Sequence, residues 1–389
     1  MTTPALRSRL PAVGTTIFTR MSVLAAEHGA VNLGQGFPDF ACDPALPHLV
    51  ADAMRDGHNQ YPPMAGAAPL VDAIAAKIAA IYGHRYDPAL EITVTAGATQ
   101  ALTTAILCCV HPGDEVIVIE PAFDSYLPAI ALACGVAVPV SMLVSTQAGE
   151  HGYSIPWDRV AAAVSPRTRL IIVNSPHNPT GSVLRRADID ALRDIVRGTD
   201  ILILSDEVYE HMVYDGAPHE SLCRYPDLAE RAFVVSSFGK TYHVTGWKIG
   251  YVAAPAALSK ELRKVHQYNV FTVNTPMQHG IARYMADPAP CLALPAFYQR
   301  KRDLFRDGLA ASRLTLLPAD GTYFQCVRYD AISSLPEAQF ADWLTRDVKV
   351  AAIPVSAFYS QPTESGIVRF CFAKQDATLQ LALGRLAGL

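Results

Sequence analysis

No two cysteines of this chain stand in a C-x-x-C spacing; the eight lie at 42, 108, 109, 134, 223, 291, 326 and 371. That scatter excludes the common zinc arrangements, so no metal site is expected and the thiols read as reduced, buried small residues. Long hydrophobic runs are missing as well. The most apolar stretches, such as "AIALACGVAVPV" from Ala129, are short and broken by glycine and proline, so none spans a bilayer. Charge is sparse, at 17% of residues with a net of -4, and no Lys/Arg run marks a nucleic-acid groove. The opening "MTTPALRSRLPAVGTT" has no apolar core and no cleavage-like site, so no secretory signal is read and a cytoplasmic location is expected. GxSxG, HExxH and the Walker A pattern are absent. "GQGFPD" from Gly34 mimics GxGxxG only until Pro38 and Asp39.

What is present is a core-rich globular chain: 389 residues, half of them hydrophobic, with a length that suits two or three domains. "EVIVIE" from Glu115, "LIIVNS" from Leu170, "ILILSDE" from Ile201, "FVVSS" from Phe233 and "IGYVAAP" from Ile249 are near-continuous in Val, Ile and Leu. Strands buried on both faces read this way. Helical segments such as "RRADIDALRDIVRG" separate several of them, which predicts a mostly parallel, helix-covered sheet of the α/β class. "YPPMAGAAPLVDAIAAKIAAIYG" from Tyr61 ends in an alanine-rich helix with Gly83 as its stop. In "EITVTAGATQALTTAILCCV", a strand passes through a small-residue turn into a helix with apolar Leu102, Ile106 and Cys109. "ADPAPCLALP" from Ala286 interrupts the pattern, and "TYFQCVRY" and "IVRFCFA" are strand candidates of a smaller α+β domain after it.

The polar residues that follow these strands raise the functional question. Lys240 in "SSFGKTYHVTGWKIGY" emerges from the end of a buried strand, where an amine is costly unless something partners or uses it. Asp206 follows an apolar run. By itself it fits a helix N-cap or an ion pair; in company it fits a counter-ion for a buried cation. Asn178 in "NSPHNPTG" either stabilises its own turn or aims an amide into a cleft. "VTAGATQA" resembles a phosphate seat, with Ala98 and Thr99 at a strand–helix junction and Ser237 and Lys248 near enough in sequence to Lys240 to join it. His243 beside Tyr242 reads as a packed or surface histidine. Carboxyl ends of parallel strands are where such sheets collect chemistry, and these groups all sit at strand ends. A buried lysine, an aspartate, a hydroxyl in Tyr209, an amide and an anion seat together suit pyridoxal 5'-phosphate.

The stretches "VNLGQGFPDF", "NQYPPMAG", "VTAGATQAL", "PAFDSY", "NSPHNPTG", "SDEVYEHMVY", "SSFGKTYHVTGWKIGY", "KVHQYNVFTVNTPMQ" and "IVRFCFAK" occur here in the family order of the class I/II aminotransferases. The sequence resembles those fold type I enzymes over nearly its whole length, and most of all their methionine and kynurenine branches. The resemblance implies a large pyridoxal-phosphate domain over 46–285, a small C-terminal domain over 286–389, and an N-terminal segment, 1–45, that joins the small domain. It implies that Lys240 carries the cofactor covalently, Asp206 pairs with the ring nitrogen, Tyr209 and Asn178 bond the ring oxygen and Phe123 stacks on the ring. Phosphate contacts fall to Ala98, Thr99, Ser237 and Lys248, and to Tyr61 reaching across a homodimer with shared sites. Many aminotransferases have arginine where Lys248 stands; lysine is usual in the methionine and kynurenine branch.

By the same resemblance, Arg369 holds the substrate α-carboxylate beside the Gly36 backbone, a two-pronged task that lysine does poorly. Phe18, and Phe271 from the partner subunit, line the side-chain pocket. The expected activity is transfer of the amino group of methionine, and of aromatic amino acids, to a 2-oxo acid by a ping-pong route. The alternative is a kynurenine or aromatic aminotransferase with cysteine-S-conjugate β-lyase activity. A sensor that merely keeps the fold is disfavoured, because the lysine, aspartate, tyrosine, asparagine and arginine are all present.

Overall fold

The computed structural model describes residues 6–145 and 152–389. The apolar runs form strands Ile92–Thr95 (β1), Glu115–Glu120 (β2), Val136–Ser141 (β3), Thr168–Asn174 (β4), Leu202–Asp206 (β5), Ala232–Ser237 (β6) and Gly250–Ala253 (β7). They hydrogen-bond into one sheet in the order β1-β7-β6-β5-β4-β2-β3. All are parallel except β7, which runs antiparallel to both β1 and β6. The run from Ile249 reads like the others in sequence, but the chain from Ser237 to Gly250 stays at one edge of the sheet, so β7 runs back.

Burial explains the composition. Every residue of β1, β2, β6 and β7 is buried, so neither face of these strands is turned to water; their polar members Thr93, Thr95, Glu115, Glu120, Ser236 and Ser237 are buried with the rest. Successive side chains still go to opposite faces: Ile117 and Ile119 join one core cluster, Val116 and Val118 another. Helices Ile17–Glu27 (α1), Ala68–Tyr82 (α2), Gly97–Cys109 (α3), Ala256–Asn269 (α4), Leu294–Leu309 (α5) and Asp376–Leu386 (α6) supply much of the covering. Leu70, Ile74 and Ile78 of α2 fill the first cluster, and Leu102 and Ile106 of α3 with Leu262 of α4 fill the second. Gly83 caps α2 at φ +80°, a conformation that a Cβ would strain.

A second, antiparallel sheet comprises Thr315–Leu316 (β8), Phe324–Arg328 (β9), Ile353–Pro354 (β10) and Ile367–Cys371 (β11), in the order β8-β9-β11-β10. Phe305 of α5 and Leu379 and Leu386 of α6 pack over it with Phe370. The N-terminal part of the chain reaches this unit: Met21 and Leu24 of α1 pack with Ile353 and Phe358, and Val31–Asn32 pairs in parallel with Val350–Ala351. Residues 34–36 are thereby carried across to the mouth of the larger sheet. All eight cysteines are free thiols, and among the described residues no helix is long and apolar enough to cross a membrane.

Candidate active site

A cavity of about 260 Å³ opens at the carboxyl edge of the seven-stranded sheet. Residues that follow five different strands meet there: Ala98 and Thr99 after β1, Phe123 after β2, Asn178 after β4, Tyr209 after β5 and Lys240 after β6. Asp206 ends β5, directly across from Asn174. Because β7 enters the sheet where the parallel strands leave it, Lys248, just ahead of Gly250, comes to the same edge; Gly250 itself faces both Ser237 and Thr95. Phe18, Gly36, Phe324 and Arg369 close the cavity from the other unit.

Asp206 is buried and accepts from the Tyr126 hydroxyl at 2.7 Å and from the Val208 N–H at 3.3 Å. Burial pushes its carboxyl up to about 6, although the Tyr126 hydroxyl, the Val208 N–H and the positive charge of Lys240 pull the other way. Lys240 faces the cavity. Its amine donates to Tyr323 Oη at 2.8 Å and to the Gly36 carbonyl at 3.1 Å. Burial lowers it to about 8, with Asp206 and Cys371 opposing and the charges of Arg369 and Lys248 adding to the fall. An amine and a carboxylate thus face one cavity with proton affinities brought toward neutrality, as acid–base chemistry requires.

The opposite end of the cavity gathers positive features. Helix α3 starts at Gly97, so its first N–H groups and the positive end of its dipole point into the cavity. Gly97 has φ +75°, and a Cβ there would lie 3.3 Å from Lys248 Nζ. The ammonium therefore lies against a helix N-terminus, two positive features brought together. Lys248 has no carboxylate partner among the described residues, and it holds the left-handed conformation at φ 57°, which costs a non-glycine residue about 1 kcal/mol or more. An anion between the two would favour that arrangement.

Arg369 is only 1% exposed. One terminal nitrogen donates to Asn178 Oδ1 at 2.6 Å, the other to the Gly34 carbonyl at 3.0 Å, and Nε has no partner. Its guanidinium stacks 3.8 Å from the centre of the Phe324 ring, with Phe358 and Phe18 at 5.0 and 5.5 Å. Of the five N–H donors, three are left for something else. Asn178, with its carbonyl engaged by Arg369, presents its NH₂ group as a donor.

Of the residues singled out from sequence, fourteen are placed as follows. Phe18, Gly36, Ala98, Thr99, Phe123, Asn178, Asp206, Tyr209, Ser237, Lys240, Lys248 and Arg369 line one cavity. Tyr61 and Phe271 do not; they pack edge-on with each other at 5.2 Å, Tyr61 being 79% exposed. Sequence reasoning passed over Tyr126, Tyr323, Phe324 and Asn174. Tyr126 is the last residue of the quoted "PAFDSY", and Tyr323 and Phe324 begin the strand candidate "TYFQCVRY", but nothing local separates them from core aromatics. His243 is packed among Phe40, Phe297 and Tyr298, away from the chemistry.

A parallel sheet that gathers a lysine, a carboxylate and an anion seat at its carboxyl edge, with a second unit closing over it, defines a fold type I transferase. The chain belongs to the class I and II aminotransferases, whose family pattern matches residues 29–386. Methionine aminotransferase of Escherichia coli (strain K12) is 48% identical to it over 98% of each chain. A solved Escherichia coli structure, reported to identify a methionine aminotransferase function, matches with a TM-score of 0.96 at 48% identity over the whole of both chains. A probable N-succinyldiaminopimelate aminotransferase of Mycobacterium tuberculosis is 40% identical, again over 98% of each.

Proposed function

We propose that this aminotransferase takes its amino group from methionine and related apolar or aromatic amino acids, passes it to a 2-oxo acid, and works with pyridoxal 5'-phosphate as a homodimer. The residues fit that cofactor. Lys248, Ser237 and the N–H groups of Ala98 and Thr99 would hold the phosphate, and Lys240 would be the point of covalent attachment. Asp206 would face the ring nitrogen, the amide of Asn178 and the hydroxyl of Tyr209 the ring oxygen, and Phe123 the ring face. Tyr61 and Phe271 of the partner subunit would complete phosphate and side-chain contacts; their exposure, away from their own cavity, supports that role. When bound, pyridoxal phosphate supplies an electron sink that acidifies the Cα–H of an attached amino acid.

The protein's own residues do the rest. Arg369 binds and orients the α-carboxylate through its free N–H groups, the Nε among them. Asp206, ionised above about pH 6, holds a proton on the ring nitrogen. Lys240 Nζ, whose proton affinity burial has lowered to about 8, takes and returns the Cα proton. Phe18 and Phe324 form apolar walls, and among the described residues of one protomer Arg369 is the one arginine lining the cavity. That last observation carries the substrate assignment: one carboxylate is provided for, and the side chain meets rings. Hydrophobic pockets separate similar apolar groups by only ~1–3 kcal/mol, so several substrates are expected.

The test is a single half-reaction. Methionine added to the loaded enzyme without any 2-oxo acid is expected to yield one equivalent of its 2-oxo acid per site, with loss of the enzyme's yellow absorbance. Conversion by kynurenine or phenylalanine while methionine fails would move the assignment to the aromatic branch. Preference for a dicarboxylate or a succinylated amino acid would overturn the one-arginine argument.

A further inference from the structure

The amine of Lys240 lies in a triangle of hydrogen bonds. It donates to Tyr323 Oη at 2.8 Å and to the Gly36 carbonyl at 3.1 Å, while Tyr323 Oη donates to that same carbonyl at 2.6 Å. A phenol has one proton, and Tyr323 directs it to the Gly36 carbonyl or to the Tyr209 side chain, so lone pairs are turned toward Lys240. The site is therefore built to accept an amine or ammonium proton. Tyr323 is fully buried and its ring is fixed by Phe324 at 4.9 Å, Tyr209 at 5.1 Å and Tyr298 at 5.8 Å, so the hydroxyl stays beside Lys240, where the Tyr209 side chain hydrogen-bonds it as well. Gly36 is equally fixed: a Cβ there would lie 2.8 Å from the Phe324 ring, and Lys374 pins the next residue by donating to the Phe37 carbonyl at 2.8 Å.

The Tyr209 ring adds to the seat, its centre 5.5 Å from the ammonium. The charged or titratable groups around it are Asp206, Arg369, Cys371, Lys248, Tyr209 and Tyr323. Among the described residues no carboxylate bonds the amine; it is held by neutral dipoles and the Tyr209 ring. We infer that Tyr323 is a positioning residue: it receives the Lys240 amine whenever that amine is free and ties it to the Gly36 backbone. The inference rests on Lys240 being the attachment lysine, because only an attachment lysine alternates between bound and free. It also links two events, for the segment that docks Lys240 at Gly36 binds Arg369 at the Gly34 carbonyl. A carboxylate arriving at Arg369 and an amine settling at Gly36 act on the same short stretch of backbone.

The test uses full-length enzyme loaded with pyridoxamine phosphate, in which Lys240 is free. Acetylation of Lys240 by a small anhydride, read by mass spectrometry across pH, reports when its proton leaves. Tyr323→Phe removes one acceptor of the ammonium, so the profile is expected to move down by about one pH unit, with ~10-fold more acetylation near neutral pH. An unchanged profile overturns the inference. A crystal structure of the wild-type enzyme in the same form needs no variant to fold: Lys240 Nζ within hydrogen-bond reach of Tyr323 Oη supports docking, and Nζ turned elsewhere overturns it. Borohydride reduction of the pyridoxal-loaded wild type separates the two readings. A pyridoxyl group on any lysine but Lys240 defeats the attachment assignment and the docking with it. A pyridoxyl on Lys240 with an unmoved Tyr323→Phe profile defeats the docking alone.

Discussion

Arg369→Lys keeps a positive charge at the carboxylate seat while removing its shape. The guanidinium is held by Asn178 and Gly34 and stacked on Phe324, leaving three N–H groups that include the unpartnered Nε. A lysine has three donors in a compact, rotating head and no planar edge to offer two parallel bonds. It must choose between Asn178, Gly34 and the substrate. Losing one charge-assisted hydrogen bond to the carboxylate removes about 1.5–3 kcal/mol, and at about 1.4 kcal/mol per factor of ten this lowers kcat/KM for methionine roughly 10- to 100-fold. Stability falls too, because a buried acceptor at Asn178 or Gly34 is left without a donor, at about 1–3 kcal/mol.

The control is the substrate stripped of its carboxylate. The variant is assayed with methionine and with 3-(methylthio)propylamine, which shares the side chain and the amine. The wild type is expected to prefer methionine and the variant to lose most of that preference, while the rate with the amine changes by less than about threefold. An equal fall for both substrates would mean that the substitution had disturbed the cavity as a whole. Unchanged methionine kinetics would refute the carboxylate assignment of Arg369 outright.

Lys240→Ala removes the amine proposed both for attachment and for proton transfer. Turnover is expected to drop by at least ~10²–10⁴-fold with a circular dichroism spectrum like the wild type, and normal turnover would contradict the assignment. The pH response of cofactor uptake follows from Asp206. Its carboxyl is raised to about 6, so it is ionised above that pH and neutral below; uptake of pyridoxal phosphate by the cofactor-free chain, followed by absorbance, is expected to weaken as pH falls through 6. Lys77→Met tests the support beneath Tyr209. Lys77 donates to the buried Glu210 at 2.6 Å, and Tyr82, Tyr251 and Ser236 bond the same carboxylate. Burial alone would push Glu210 up, yet Lys77 and His211 hold it below the ordinary carboxylate range. Breaking the pair leaves an uncompensated buried charge, and denaturant unfolding is expected to show a loss of about 3–5 kcal/mol.

The central sheet was legible because both of its faces are buried. Strands such as β2 and β6 are buried at every position and apolar through 116–119 and 232–235, and so short an unbroken apolar run fits a strand covered on both faces. Direction was less legible: the run from Ile249 is as apolar as its neighbours, and strand polarity depends on where the connection travels. The chain ends of these strands also announced themselves. Asp206 and Lys240 are polar groups at the limits of apolar segments, where burial is costly without a purpose.

Tyr126, Tyr323 and the Lys77–Glu210 pair show what such reasoning cannot reach. Each acts by a contact across a long stretch of sequence: Tyr126 with Asp206, Tyr323 with Gly36 and Lys240, Lys77 with Glu210. A tyrosine that hydrogen-bonds a catalytic carboxylate and one that only fills a core have the same local pattern, since burial of the ring dictates both. The difference lies in one oxygen, and its partner is fixed by tertiary packing alone. The same holds at Lys248, whose left-handed backbone brings its ammonium against the start of α3. From sequence it is a lysine near a glycine. In the fold it is a cation in a left-handed backbone conformation beside a positive helix end, an arrangement that an anion would favour.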